Sequence, residues 1–322
     1  MKKFAVSHLI VFTIFAAAFS TNVFAHGDRP HNFGEVWRYW GKDPLTIVFL
    51  ALSAVLYILG LRNLWREAKT GRGIRKWEAI VFAAGWISLF VALLSPLHPL
   101  GEVLFSAHMT QHEILMLVSA PLLVLGRPLI AFLWAWPMNW RHKAGNFSKA
   151  KWFRKPWRTI SNPLWAWAIH LVALWIWHVP VLFQATLKSD FVHFLQHFSF
   201  LASALLFWWA LIHGAQGLLG YGASVLYVFS TAAHSGILGA LLTFATAIVY
   251  PAYAETAPAF GLTPLEDQQL GGLIMWIPAG VLYTIAGLAL LAGWLREAEE
   301  RAAKSEANDD YSRKLIEGRE NA

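Results

Sequence analysis

The chain has 322 residues, 57% of them hydrophobic and only 14% charged; soluble domains carry about a quarter charged residues, so an ordinary soluble globule is excluded. There is no cysteine, which excludes disulfides, thiolate metal sites and thiol catalysis and leaves His, Met, carboxylate and backbone groups as metal ligands. The formal charge of +7 does not call for nucleic acid, because the basic residues gather between apolar runs, where membrane topology accounts for them.

Lys2 and Lys3, an apolar run from Leu9 to Ala18 and the string Val23-Phe24-Ala25 read as a signal peptide over 1–25, with an uncleaved anchor as the alternative. Cleavage after Ala25 makes His26 the mature N-terminus of a periplasmic segment, 26–43, where its amine and ring, with His31, offer a copper-chelating pair. Apolar stretches long enough to cross a bilayer as helices then predict seven spans, at about 44–63, 78–97, 105–126, 162–183, 191–213, 223–250 and 268–294. The fold class expected is an all-α polytopic membrane bundle over 44–294. Many of the 18 Trp sit near span ends, where indole favours the interface.

Loop 62–76 carries Arg62, Arg66, Lys69, Arg72, Arg75 and Lys76, and loop 127–161 carries eight Lys and Arg from Arg127 to Arg158. Loop 95–107 has no Lys or Arg, and loop 251–267 holds Glu255, Glu266 and Asp267 as its only charges. The positive-inside rule therefore predicts the N-terminus outside and the C-terminus inside. Residues 127–138 are too short to span and read as an interfacial helix or re-entrant turn. The mixed-charge tail 295–322 reads as a solvated helix or disordered segment. Pro121, Pro180 and Pro278 lie in or near spans and are candidates for kinks.

This topology gathers the histidines. His98 closes the second span, His108 and His112 open the third, His178 closes the fourth, and His193 and His197 open the fifth. All six fall near the outer face. Residues four apart share a helix face, with Cβ atoms about 6 Å apart, so each H-x-x-Q-H string (His108–His112 and His193–His197) places two imidazoles where they can share a metal or meet partners from another helix. Met116 extends the third-span stripe by one turn and offers a thioether suited to copper(I); it also reads as ordinary core. The bland reading of membrane histidines is hydrogen bonding between helices. Two matching pairs beside His178 favour a ligand site.

Glu113 lies about 12 Å along the third span. An ionisable group at that depth is a functional candidate, either a partner supporting a histidine or a proton relay, and its alternative is a neutral, hydrogen-bonded acid. It points about 100° away from His112 around the helix and need not share its ligand sphere. His234, deeper in the sixth span, reads as a packing or hydrogen-bonding residue. No nucleotide-binding loop, zinc-protease string, covalent-haem motif or nucleophile with its base is present, so the chain does not read as an enzyme.

Ser95-Pro96-Leu97, HMTQH at 108–112, APLLVLGRP at 120–128, WHVP at 177–180, HFLQH at 193–197 and DQQLGGLIMW at 267–276 resemble the multi-span assembly factors of caa3-type cytochrome c oxidase, the CtaG family, over about residues 77–294. Many members carry an acid at the position of Gln196. An unrelated single-span copper donor shares the family's name but uses cysteine ligands, which this chain lacks. The resemblance implies a bacterial inner-membrane, multi-pass factor with no catalytic activity. Its implied partners are membrane lipid and the catalytic subunit of a terminal oxidase, and its implied task is copper insertion. With copper as the cofactor, His98, His108, His112, His178, His193, His197 and Met116 are the candidate ligands. Two other readings stay open: a haem-binding membrane protein using axial histidines from two spans, and a metal-free scaffold for oxidase subunits.

Overall fold

The computed structural model describes residues 30–39, 43–214 and 220–320; the expected signal peptide and His26 lie outside them. All regular structure among the described residues is helical. After a short helix α1 (Phe33–Tyr39), the first span α2 (Pro44–Ala68) begins at Asp43, whose carboxylate accepts from Leu45 N at 3.0 Å and Thr46 N at 3.2 Å. This satisfies two amides that have no partner within the helix, and Pro44 supplies a preset φ at the first position. The second span α3 (Lys76–Leu94) is followed by the five-residue helix α4 (Leu97–Gly101).

The third span has three parts: α5 (Phe105–Glu113), a π-helical turn (Ile114–Ser119) and α6 (Ala120–Leu125). Pro121 has no N–H, so a carbonyl one turn back loses its donor. The indole Nε1 of Trp208 donates to Met116 O at 2.9 Å, supplying from a neighbouring helix what the third span cannot.

The chain bends by 54° into α7 (Pro128–Trp134), as expected for a segment too short to span. This helix packs back on the first span, where a Cβ on Gly60 would lie 1.7 Å from Ala131 O. Tyr57 donates to Gly126 O at 2.8 Å and Asn63 to Trp134 O at 3.0 Å, closing the same seam. Helices α8 (Met138–Lys149) and α9 (Lys151–Ile160) follow, then α10 (Pro163–Trp177), α11 (Pro180–Thr186), α12 (Asp190–Gly214), α13 (Gly220–Thr243) and α14 (Pro264–Glu320). Among the described residues, five helices are long and apolar enough to cross a membrane, or up to seven if each of two bent pairs is one span. The protein is thus an all-α polytopic membrane bundle.

Two expected span ends are corrected. The fourth span stops at Trp177, not 183, because Pro180 cannot continue a helix and holds Val179 extended. The sixth stops at Thr243, not 250. Residues 244–262 are apolar but form a return loop with two 3₁₀ turns, Pro251–Tyr253 and Ala257–Phe260. Pro278 lies inside α14 without interrupting it, and the charged tail continues that helix to Glu320.

Candidate metal centre

Helices α4, α5 and α12 bring five histidines to one end of the bundle. Ring centroids are 4.4 Å apart for His108–His112, 4.3 Å for His193–His197, 5.2 Å for His108–His193, 5.3 Å for His112–His197 and 5.3 Å for His98–His193. The two H-x-x-Q-H pairs therefore face each other across the third and fifth spans. Two trios, His108–His112–His197 and His98–His193–His197, each hold their ligand nitrogens within 4.8 Å of one another. His197 belongs to both. Three nitrogens on one ion at about 2 Å lie at most about 4 Å apart, so a small inward movement of the rings would close either trio.

Hydrogen bonds separate the two trios. The Gln111 amide nitrogen donates to Ala92 O at 2.7 Å and faces His98 Nδ1 at 3.2 Å. It can only donate, so His98 Nδ1 accepts and the ring proton sits on Nε2, which faces Glu102 at 4.0 Å. His98 is thereby engaged at Nδ1 and is only partly buried. His108 Nδ1 lies 3.3 Å from Gly101 O, an oxygen that can only accept. His108 Nε2 lies 3.1 Å from Gln196 Oε1, also an acceptor, so both ring nitrogens face oxygens and a neutral ring can donate to only one of the two.

His112 is 1% exposed, yet neither of its ring nitrogens has a hydrogen-bond partner, and His197 Nε2 has none either. Buried polar groups are nearly always paired. Unpaired imidazole nitrogens converging from two helices are the donor set a neutral-ligand metal site requires, so these residues fit a metal ion.

The other candidates fall outside both trios. His178 is held by Nδ1 to Leu174 O at 2.6 Å, beside Phe200, with its Nε2 buried and unpartnered. Met116 is packed in the apolar core. Glu113 is in neither trio; its Oε2 is buried without a partner, within electrostatic reach of Tyr283 on α14.

Three supports had not been assigned from sequence. Gln111 and Gln196 orient histidines, although only the spacing of their strings was visible. Asp267, counted as a loop acid, is fully buried and accepts from Phe105 N at 2.7 Å, Ser106 N at 3.0 Å and Ser106 Oγ at 2.6 Å. It caps the helix bearing His108 and His112 from another span, satisfying amides that would otherwise be orphaned. Gln268 Oε1 receives Val249 N at 2.6 Å, and Gln269 donates to Ala245 O at 2.9 Å, so successive residues of the DQQ string tie down both the site helix and the return loop. An acid and amides opening an apolar span were the available signal.

Fold and site together define a class: a polytopic membrane protein with a buried histidine cluster at one end of its helices. A model described as cytochrome c oxidase caa3 assembly factor (Caa3_CtaG) matches residues 55–297, and the chain belongs to that family. The uncharacterized proteins Mb0105 of Mycobacterium bovis and MT0111 of Mycobacterium tuberculosis are each 24% identical over 292 residues, covering 88% of this chain and 44% of the relative. ML1998 of Mycobacterium leprae is 24% identical over 291 residues, covering 86% and 42%. The chain thus spans less than half the length of the curated relatives it matches. No solved structure matches.

Proposed function

We propose that this chain is an inner-membrane assembly factor that holds copper among His108, His112 and His197, with His193 and His98 flanking, and passes it to the catalytic subunit of a haem–copper oxidase. The observation that carries this reading is the buried, unpartnered state of His112 and His197 Nε2, opposite a His108 held between Gly101 O and Gln196 Oε1. Loop charges orient the cluster towards the periplasm, with the N-terminus outside and the C-terminus inside. Neutral imidazoles without thiolate suit an exchangeable site, as delivery to a client requires. Within the cluster, Gln111 fixes the ring tautomer of His98, and Asp267 sets the start of the helix that carries two ligands. His178 and Glu113 are reserved for support or proton movement, since neither reaches the trios. Haem fits less well, because axial ligation needs a porphyrin-wide slot between two rings and these rings pack directly on one another.

The test is oxidase maturation in a strain lacking the native gene and complemented with variants. His112→Ala with His197→Ala should leave membranes containing the variant at normal level but with copper-deficient oxidase. Full oxidase activity in that strain would favour the metal-free scaffold.

A further inference from the structure

A second built feature lies away from the histidines, where α9 meets the fourth span. Lys151, Arg154, Lys155 and Arg158 recur at spacings of three and four, which sets four cations on one face of α9. The span α10 leaves α9 at 65°, and the angle between them encloses an open groove of about 690 Å³ lined by those four cations and, on the span side, by Leu164 and Trp165. No acid lines the groove, and among the described residues none of the four cations forms an ion pair with a carboxylate. Like charges so arranged repel, and an anion between them would relieve that. Leu164 is 70% exposed and Trp165 56%, so the groove has a cationic rim above an apolar wall.

We propose that this groove binds an anionic phospholipid, the headgroup phosphate among Lys151, Arg154, Lys155 and Arg158 and the acyl chains against Leu164 and Trp165. A free phosphate would use the rim and leave the wall bare; a neutral lipid would do the reverse. Four cations favour a headgroup with two phosphates, and basic recesses beside membrane helices suit such lipids. The exposed Trp152 and the edge-on Phe147–Trp152 pair, 4.8 Å between centroids, give the hairpin of α8 and α9 an aromatic flank suited to the interface.

The test uses the full chain in phosphatidylcholine nanodiscs doped with tetraoleoyl diphosphatidylglycerol, with native mass spectrometry counting retained lipid. Wild type should retain the diphosphate lipid over phosphatidylcholine, and Arg154→Gln, Lys155→Gln, Arg158→Gln should weaken retention by about tenfold or more. The charge-preserving Lys151→Arg, Lys155→Arg variant should retain it, which separates lost charge from lost fold. Equal retention by the Gln variant, equal retention of phosphatidylcholine, or displacement by inorganic phosphate would overturn the proposal.

Discussion

His98 and His112 differ by what their nitrogens already do. Gln111 occupies one nitrogen of His98, whereas both nitrogens of His112 are unengaged. His98→Ala should therefore lower copper affinity by less than about tenfold, and His112→Ala should abolish retention; competition titration against a copper chelator measures both. Imidazolium cannot coordinate, so copper retention should be full at neutral pH and be lost once acidification protonates the ligand histidines, as a pH titration of bound copper would show. Gly101→Ala tests the backbone support: the new Cβ would lie 2.2 Å from Gln111 Oε1, and overpacking of this kind costs about 1–3 kcal/mol, read as a lowered melting temperature in detergent. At this scale the paired histidines were legible because helical periodicity alone puts i and i+4 on one face. The roles of Gln111 and Gln196 were not, since a cross-helix hydrogen bond depends on packing that leaves no mark in spacing.

Among the elements, the third span shows how a proline is accommodated beside the site. If Trp208 serves the carbonyl that Pro121 leaves unserved, Trp208→Phe should cost about 1–3 kcal/mol from the orphaned oxygen, beyond any packing loss. Pro121→Ala should recover part of that loss in the double variant, giving a coupling of about 0.5–3 kcal/mol in a double-mutant cycle of thermal stability. Additive effects would sever the link. The seven apolar runs were legible from composition, but the ends of the fourth and sixth were not. Leu182 and Phe183 beyond Pro180, and Phe244 to Tyr250 beyond Thr243, are as apolar as the spans they follow, and hydropathy does not register a helix stop. The buried cap at Asp267 was hidden for the converse reason: a carboxylate next to a loop reads as solvated until its partners on another span are seen.

Across the whole molecule, close approach of helices fixes the histidine level. A Cβ on Gly271 would lie 2.3 Å from Phe105 Cδ1, and one on Gly272 would lie 2.5 Å from Thr243 N, so these two glycines let α14 seat against both the site helix and α13. Small residues serve this role where lipid supplies no hydrophobic drive between helices. Gly271→Ala should displace Phe105, and with it the start of the helix carrying His108 and His112, lowering copper retention and melting temperature together. The central claim is that facing histidine pairs hold copper, and total metal in purified protein tests it most directly. Protein from copper-supplemented cells should contain about one copper per chain and negligible iron, with the copper lost from His112→Ala, His197→Ala protein of unchanged helical content. Equal copper in both proteins, or iron in place of copper, would contradict it.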